Sequence, residues 1–232
     1  MTIQLELEGR SIALSLRHSP RARRVALRLV PEGIELVVPP RVSESAAIAF
    51  ARERGAWILR RMDKHRPPIT FADGIVVPFL GVEHRVRHMP ARRGTVERID
   101  AGAPQLQVAG AIEHLPRRLG DWLKAQTRQI IEPLALEKSR RVGKPIARIA
   151  VRNMRTRWGS CSRAGALSFS WRIVMAPPGA IDWLVAHEVA HLVHMNHRQR
   201  FWDLAHELTA GDFEHWRAWL RSEGELLLRY GL

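Results

Sequence analysis

Residues 187–197 read His-Glu-Val-Ala-His-Leu-Val-His-Met-Asn-His. On an α-helix, positions i and i+4 share a face, a little over one turn apart. His187 and His191 can therefore turn both rings toward one metal ion. His197, six residues further on, can close the site once the helix has broken. His194 is a rival third ligand that reaches the same ion only if the helix continues, whereas His197 needs it to end near Met195. Three protein ligands leave a fourth position open, the mark of a catalytic rather than a structural zinc site. Glu188 directly follows the first ligand and can reach a water held there.

The flanks argue against a helix of solvated histidines. Ile181, Trp183, Leu184, Val185, Ala186, Val189, Ala190, Leu192 and Val193 make the segment apolar nearly all round, the pattern of a buried helix. Glu188 set among them is a costly buried charge unless it has a partner, and a metal ion supplies one. The chemistry then follows. Zinc lowers the pKa of a bound water to about 7 and polarises a carbonyl, while Glu188 takes the proton and later passes it to the leaving amine.

Outward from this segment, the chain of 232 residues is long enough to bury a sizeable core, as one domain or two. It is 46% hydrophobic and 26% charged, ordinary for a globular protein. No apolar run approaches the roughly 18 residues of a membrane span, so no membrane partner is expected. The first 20 residues alternate apolar and polar side chains and lack a signal peptide's apolar core. A single cysteine excludes an internal disulfide and a cysteine-based zinc finger. Together these point to the cytoplasm. The net charge is +14, and 33 of the 37 basic residues are arginine. Such a chain suits nucleic acid, nucleotides or acidic proteins as partners, and weak nucleic-acid or nucleotide binding is one expectation. The basic residues are nevertheless spread along the chain rather than gathered in one tract.

The organisation expected is α+β. Residues 3–8, 11–17, 24–30 and 34–38 read as strands of an antiparallel sheet, separated by turn signals at Glu8-Gly9, Ser19-Pro20 and Pro31-Glu32-Gly33. A helix capped by Ser43 or Ser45 runs to about residue 64, with Ile48, Phe50, Ala51, Trp57, Ile58 and Met62 inward. Short strands over 75–88 and 96–108 complete a β-rich basic module, 1–110. The second part, 111–232, opens with a helical stretch over 112–140 that Gly120 and Pro133 break or kink and Gly143 stops. A strand over 145–154 follows. Residues 166–174 read as the second strand of a hairpin, Pro177-Pro178-Gly179 leads into the metal helix, and helices over 201–208 and 212–228 close the chain. No sequence repeat is visible.

Four runs carry a family resemblance: RTRWGSCS (155–162), LSFSWRIVMAPP (167–178), IDWLVAHEVAHLVHMNH (181–197) and RFW (200–202). With the PFLG segment (78–81), the chain resembles the YgjP-like metallopeptidases, relatives of the SprT and WLM zinc proteases within the zincin superfamily. The resemblance implies a zincin-like catalytic half, one zinc ion per chain on His187, His191 and His197, and Glu188 as base. It thereby favours His197 over His194. His194 stands where metzincins carry glycine, so the metzincin loop and Met-turn do not carry over.

Other residues have weaker signals. Arg157 or Arg155 can hold a substrate anion or steady an oxyanion, and Arg157 is taken as a second catalytic residue. Gly159 permits close backbone approach or positive φ. Cys161 reads as a small buried residue, Asn196 as a loop-orienting side chain, and the tryptophans of the second half as core. His206, Glu207 and His215 would serve only a different ligand set, and Tyr230 is a weak candidate for oxyanion stabilisation. The reading is thus a zinc-dependent hydrolase, a metallopeptidase acting on a peptide or protein through a zinc-bound water activated by Glu188. Its rivals are a metal-dependent nucleotide phosphohydrolase and a basic protein that binds, or cleaves proteins on, nucleic acid.

Overall fold

The computed structural model describes residues 2–30, 33–64, 68–154 and 157–231. Pro31 and Glu32 of the expected turn, Arg155, and the side chain of Met62 lie outside what is described. The chain is α+β and divides into two compact units, residues 1–67 and 68–232.

In the first unit, β1 (Thr2–Leu7), β2 (Arg10–His18), β3 (Ala26–Val30) and β4 (Gly33–Val38) lie in the order β1-β2-β4-β3. Apolar alternation places Leu5, Leu7, Ile12, Leu14, Ile34, Leu36 and Val38 on one buried face. The sheet is not purely antiparallel as expected. The β3–β4 hairpin folds back so that β4 runs parallel to β2, Leu14 opposite Ile34. Alternation reports which face is buried and is silent on direction, hence the difference. The expected single helix is two, α1 (Glu44–Glu53) and α2 (Gly55–Lys64), broken at Arg54. Ser43 caps α1 by accepting from the Ala46 N–H at 3.3 Å. Ala47, Ala51 and Ile58 pack on the sheet, while Trp57, expected inward, is 40% exposed.

The second unit begins with β5 (Val76–Phe79), β6 (Val82–Met89), β7 (Val96–Ile99) and β8 (Gln105–Ala109), in the order β5-β6-β8-β7. Its pairing repeats that of the first sheet strand for strand: antiparallel, parallel, antiparallel. Even the first turn recurs. Glu8-Gly9 has φ of 48° and 75°, and Leu80-Gly81 has 53° and 79°. Positive φ at both centres is the primed hairpin turn that matches strand twist. The repeat is one of topology, carried by unlike residues.

This second sheet shares its core with everything after it. Phe71, Val77, Phe79, Val86, Leu106 and Val108 belong to one apolar cluster with Leu119, Leu123, Phe169, Ile173, Ile181 and Phe201. The unit boundary therefore lies at 67/68, and residue 110 falls inside the second unit. The long helix α3 (Leu115–Arg141) runs unbroken through Gly120 and Pro133. Burial of Leu115, Leu119, Leu123, Ile131 and Ala135 outweighs the local cost of both residues. Strands β9 (Arg148–Arg152), β10 (Gly159–Cys161) and β11 (Ala166–Ser170) form a sheet in the order β10-β11-β9. The hairpin partner of β11 is β10, and β9 runs parallel to β11. Residues 171–174, expected to extend that strand, belong to a buried 3-10 helix, Trp171–Met175. Then come α4 (Pro178–Ala190), α5 (Gln199–Leu208), α6 (Phe213–Ser222) and α7 (Gly224–Leu227).

Helix α4 packs against α3, α5, α6 and β10. A buried ion pair ties it in place. Lys138 Nζ lies 2.7 Å from Asp182 Oδ1 and donates to the Leu208 carbonyl at 2.6 Å, while Asp182 Oδ2 accepts from the Ala210 N–H at 2.7 Å. Removing one partner of such a pair strands a charge in the core. We expect Asp182→Ala to cost about 3 kcal/mol, and Lys138→Met/Asp182→Leu to recover most of it. A double-mutant cycle in urea checks this, and additive losses would contradict it.

Candidate metal centre

Helix α4 is buried at every position from Ala180 to Ala190 except His187. The helix stops one residue short of the second histidine, which serves as its C-cap with φ −67° and ψ −18°. A turn at 191–193 follows, earlier than the break expected near Met195. Asn196 Oδ1 accepts from the Arg198 N–H at 3.2 Å and closes a side-chain turn around His197. The chain thereby doubles back before α5, and His197 faces the helix it has just left.

The result is a cluster of three imidazoles. One ring nitrogen each of His187, His191 and His197 lies within 4.8 Å of the others. His187 Nε2 and His197 Nε2 are 3.3 Å apart. The ring of His194 is not in the cluster; its backbone carbonyl takes part instead, accepting from His191 Nδ1 at 3.0 Å. A carbonyl only accepts, so His191 carries its proton on Nδ1 and turns the Nε2 lone pair outward. Metal-binding histidines are held this way. Such a donor set, nitrogen only and without thiolate, fits a zinc ion.

Aromatic side chains wall the cluster. Phe201, fully buried on the first turn of α5, sits 4.9, 4.4 and 4.6 Å from the centroids of His187, His191 and His197. Trp183 stacks on His187 at 5.2 Å, and Trp202 lies 5.4 Å from His197. Reading the tryptophans as core missed this double duty of Trp183 and Trp202. The signal was present in the RFW run, since aromatics on the first turn of a helix just after the third histidine must lie near it. Burial pushes the His187 pKa down to about 3, and the positive charges of His191, His197 and Arg217 add to the effect. His191 is lowered by the same burial.

Glu188 is 4% exposed, and its Oε2 has no hydrogen-bond partner among the described residues; neither has His187 Nδ1. Burial raises the Glu188 pKa to about 8, against the pull of the Arg157 charge. Gly159 is the backbone that covers it. A Cβ there would collide with the Glu188 carboxyl, so close approach explains this glycine, and its φ is not in the positive region. Arg157 is exposed, near enough to act on Glu188 through its charge. Arg155 is outside the described residues. Cys161 is half-buried, with its thiol pushed up to about 11 by burial and the Glu188 charge. His206 and His215 stand apart, exposed against Phe213 and Trp216, and Glu207 is exposed. Tyr230 pairs with Ile69, and its carbonyl accepts from Arg172 Nε at 2.8 Å.

These shifts set opposite pH dependences in the metal-free protein. Glu188 binds its proton more tightly folded than unfolded, so its contribution is full below about 4.5 and is lost as pH rises through about 8. His187 binds its proton more weakly folded, so its contribution is full above about 6.5 and is lost as pH falls toward about 3. Metal-free Glu188→Gln should therefore gain on the parent between pH 5 and 8, by on the order of a few kcal/mol. Chemical denaturation across that range measures it, and a constant difference would refute the shift.

No curated protein and no solved structure matches the chain. A family model does, the YgjP-like metallopeptidase domain, over residues 23–223. That match spans nearly the whole sequence and takes in the histidine cluster, Glu188 and the glycine that covers it. The chain belongs to the YgjP-like metallopeptidase family and is, as such, a metal-dependent hydrolase.

Proposed function

We propose that this protein is a zinc-dependent peptidase in which His187, His191 and His197 hold the ion and Glu188 is the general base. The observation that carries the reading is a buried carboxyl oxygen without a partner among the described residues, on the residue next to His187, one of three convergent imidazoles. A buried, unpaired carboxyl costs stability and persists where chemistry uses it. Bound zinc would supply Lewis acidity toward a scissile carbonyl and acidify water.

The chain's own residues do the rest. Glu188 takes the proton of the attacking water and returns it to the leaving nitrogen. In the metal-free protein burial raises its pKa to about 8, and a bound cation would lower it toward the range where a carboxyl can both accept and donate. Arg157 keeps that value from climbing further. Phe201, Trp183 and Trp202 pack around the rings and hold them in place, while His197 stays open to solvent.

A peptide substrate suits the edge of the neighbouring sheet. Among the described residues, strand β10 has a strand partner on one side only. The Trp158 carbonyl accepts from Ser170 N–H, and Ser162 N–H donates to the Ala166 carbonyl. Alternation then leaves the N–H and C=O groups of Gly159 and Cys161 on the outer edge, where an extended chain can add as a further strand. Gly159 adjoins Glu188, so the added strand would pass the base.

Three substitutions test the assignment together. Glu188→Gln should keep about one zinc per chain and lose casein hydrolysis by about 10²-fold or more. His197→Ala should lose zinc on dialysis and His194→Ala should keep it, because His194 serves through its backbone. Gly159→Ala should slow hydrolysis without releasing zinc, as the new methyl displaces the carboxyl. Metal content and casein cleavage, measured on each, decide the matter. An active Glu188→Gln, or zinc lost from His194→Ala and not from His197→Ala, would refute the mechanism.

A further inference from the structure

Beside the histidine cluster lies an open pocket of about 340 Å³, with His191 in its wall. Leu192 and Met195 supply apolar lining, and Lys144 and Arg163 supply the charge. No carboxylate lines it. Among the described residues neither cation makes an ion pair, although lysine and arginine elsewhere in the unit, such as Lys138 and Arg141, do. Two unneutralised cations around one concavity raise the local concentration of anions.

Both cations sit on backbone that is already fixed. Arg163 rides the turn between β10 and β11, which is closed by Gly165 N–H to the Ser162 carbonyl at 2.9 Å and Ala166 N–H to Ser162 Oγ at 3.1 Å. The Gly165 carbonyl accepts from Ala147 N–H at 3.0 Å, and this ties the turn to the segment that carries Lys144. Lys144 is held in turn by its N–H to the Ser139 carbonyl at 3.2 Å. The pocket also lies along the substrate path argued above. Strand β10 leads from Gly159, against Glu188, directly into this turn. Three residues of extended chain cover about 10 Å, so a peptide on that edge reaches the pocket within about three residues of the base.

We propose that this pocket is a specificity subsite that receives a carboxylate of the substrate, with Arg163 and Lys144 as its recognition residues. The inference rests on the peptidase reading and names its substrate class: peptides with an acidic residue, or a free C-terminal carboxylate, close to the scissile bond. Arg163 and Lys144 pair with the carboxylate, and Leu192 and Met195 pack against the methylene groups that carry it.

The test uses the full-length zinc-loaded protein and acetylated, amidated alanine-based octapeptides. Each carries one glutamate at successive positions and is matched by a glutamine twin. A glutamine peptide with a free C-terminus separates the two carboxylate sources. Affinity is read by fluorescence anisotropy on Glu188→Gln, and cleavage on the parent. At one position glutamate should bind about fivefold tighter than glutamine, the yield of roughly 1 kcal/mol from exposed ion pairs. The preference should shrink in high salt. It should vanish in Arg163→Gln/Lys144→Gln and turn toward lysine peptides in Arg163→Glu/Lys144→Glu, with zinc content unchanged. Tighter binding of the free C-terminus alone assigns the pocket to a terminal carboxylate. Equal affinity for every glutamate–glutamine pair and for the free C-terminus, or a preference that survives both charge removals, overturns the subsite even if peptides are cut. Glutamate-selective binding by a parent protein that cleaves none of the peptides overturns the peptidase reading and leaves the subsite standing.

Discussion

Glu188 sits 4% exposed in a helix buried on nearly all sides, with one carboxyl oxygen bonded to nothing among the described residues. Holding such a group in a core is costly, and the surroundings are arranged so that it neither escapes to water nor ionises freely. Gly159 presses on the carboxyl from β10, and a side chain there would displace it. Helices α3, α5 and α6 close the other sides of α4. The one charge balanced in the same helix, Asp182, is neutralised by Lys138. One carboxylate of α4 is thus paired for anchorage, and the other is kept without a hydrogen bond to one oxygen among the described residues, against Gly159.

The imidazole cluster depends on the same packing. His187 and His191 are one helical turn apart, so their proximity is local. His197 joins them because α4 stops at Ala190 and Asn196 turns the chain, after which Phe201 docks beneath all three rings. The carbonyl that sets the His191 tautomer comes from His194, a residue whose side chain contributes nothing to the cluster. Position in this site is fixed by backbone as much as by side chains, at Gly159 and at His194 alike.

The two four-stranded sheets show how far a pairing order can be held by different residues. Both begin with a hairpin turned through two residues of positive φ, and both place their fourth strand parallel to the second. In the first unit this sheet and its two helices form a core of their own. In the second, the same arrangement lends its apolar face to the cluster that also buries α3 and α4. The histidines, Glu188 and their aromatic wall all lie after both copies of the repeated element.

What the sequence determined by itself was local. The i, i+4 spacing of His187 and His191, the all-round apolar character of 181–193, the strand alternation before residue 40, the Glu8-Gly9 turn and the stop at Gly143 follow from residue identity and backbone periodicity alone, and each stands in the structure. Arg54 interrupts a helix whose apolar pattern continues through it, and Pro133 does not end one, because burial of its apolar stripe outweighs the local cost. Only the tertiary structure decided what depends on distant partners: β4 beside β2, β10 rather than β9 as the hairpin mate of β11, the division at 67/68, and the choice between the rings of His194 and His197. Gly159 was legible as a close approach, but the group it approaches, 29 positions away, was not. Alternation says which side of a strand is buried and carries no information on which strand will cover it; that is settled by long-range burial, which the whole chain decides at once.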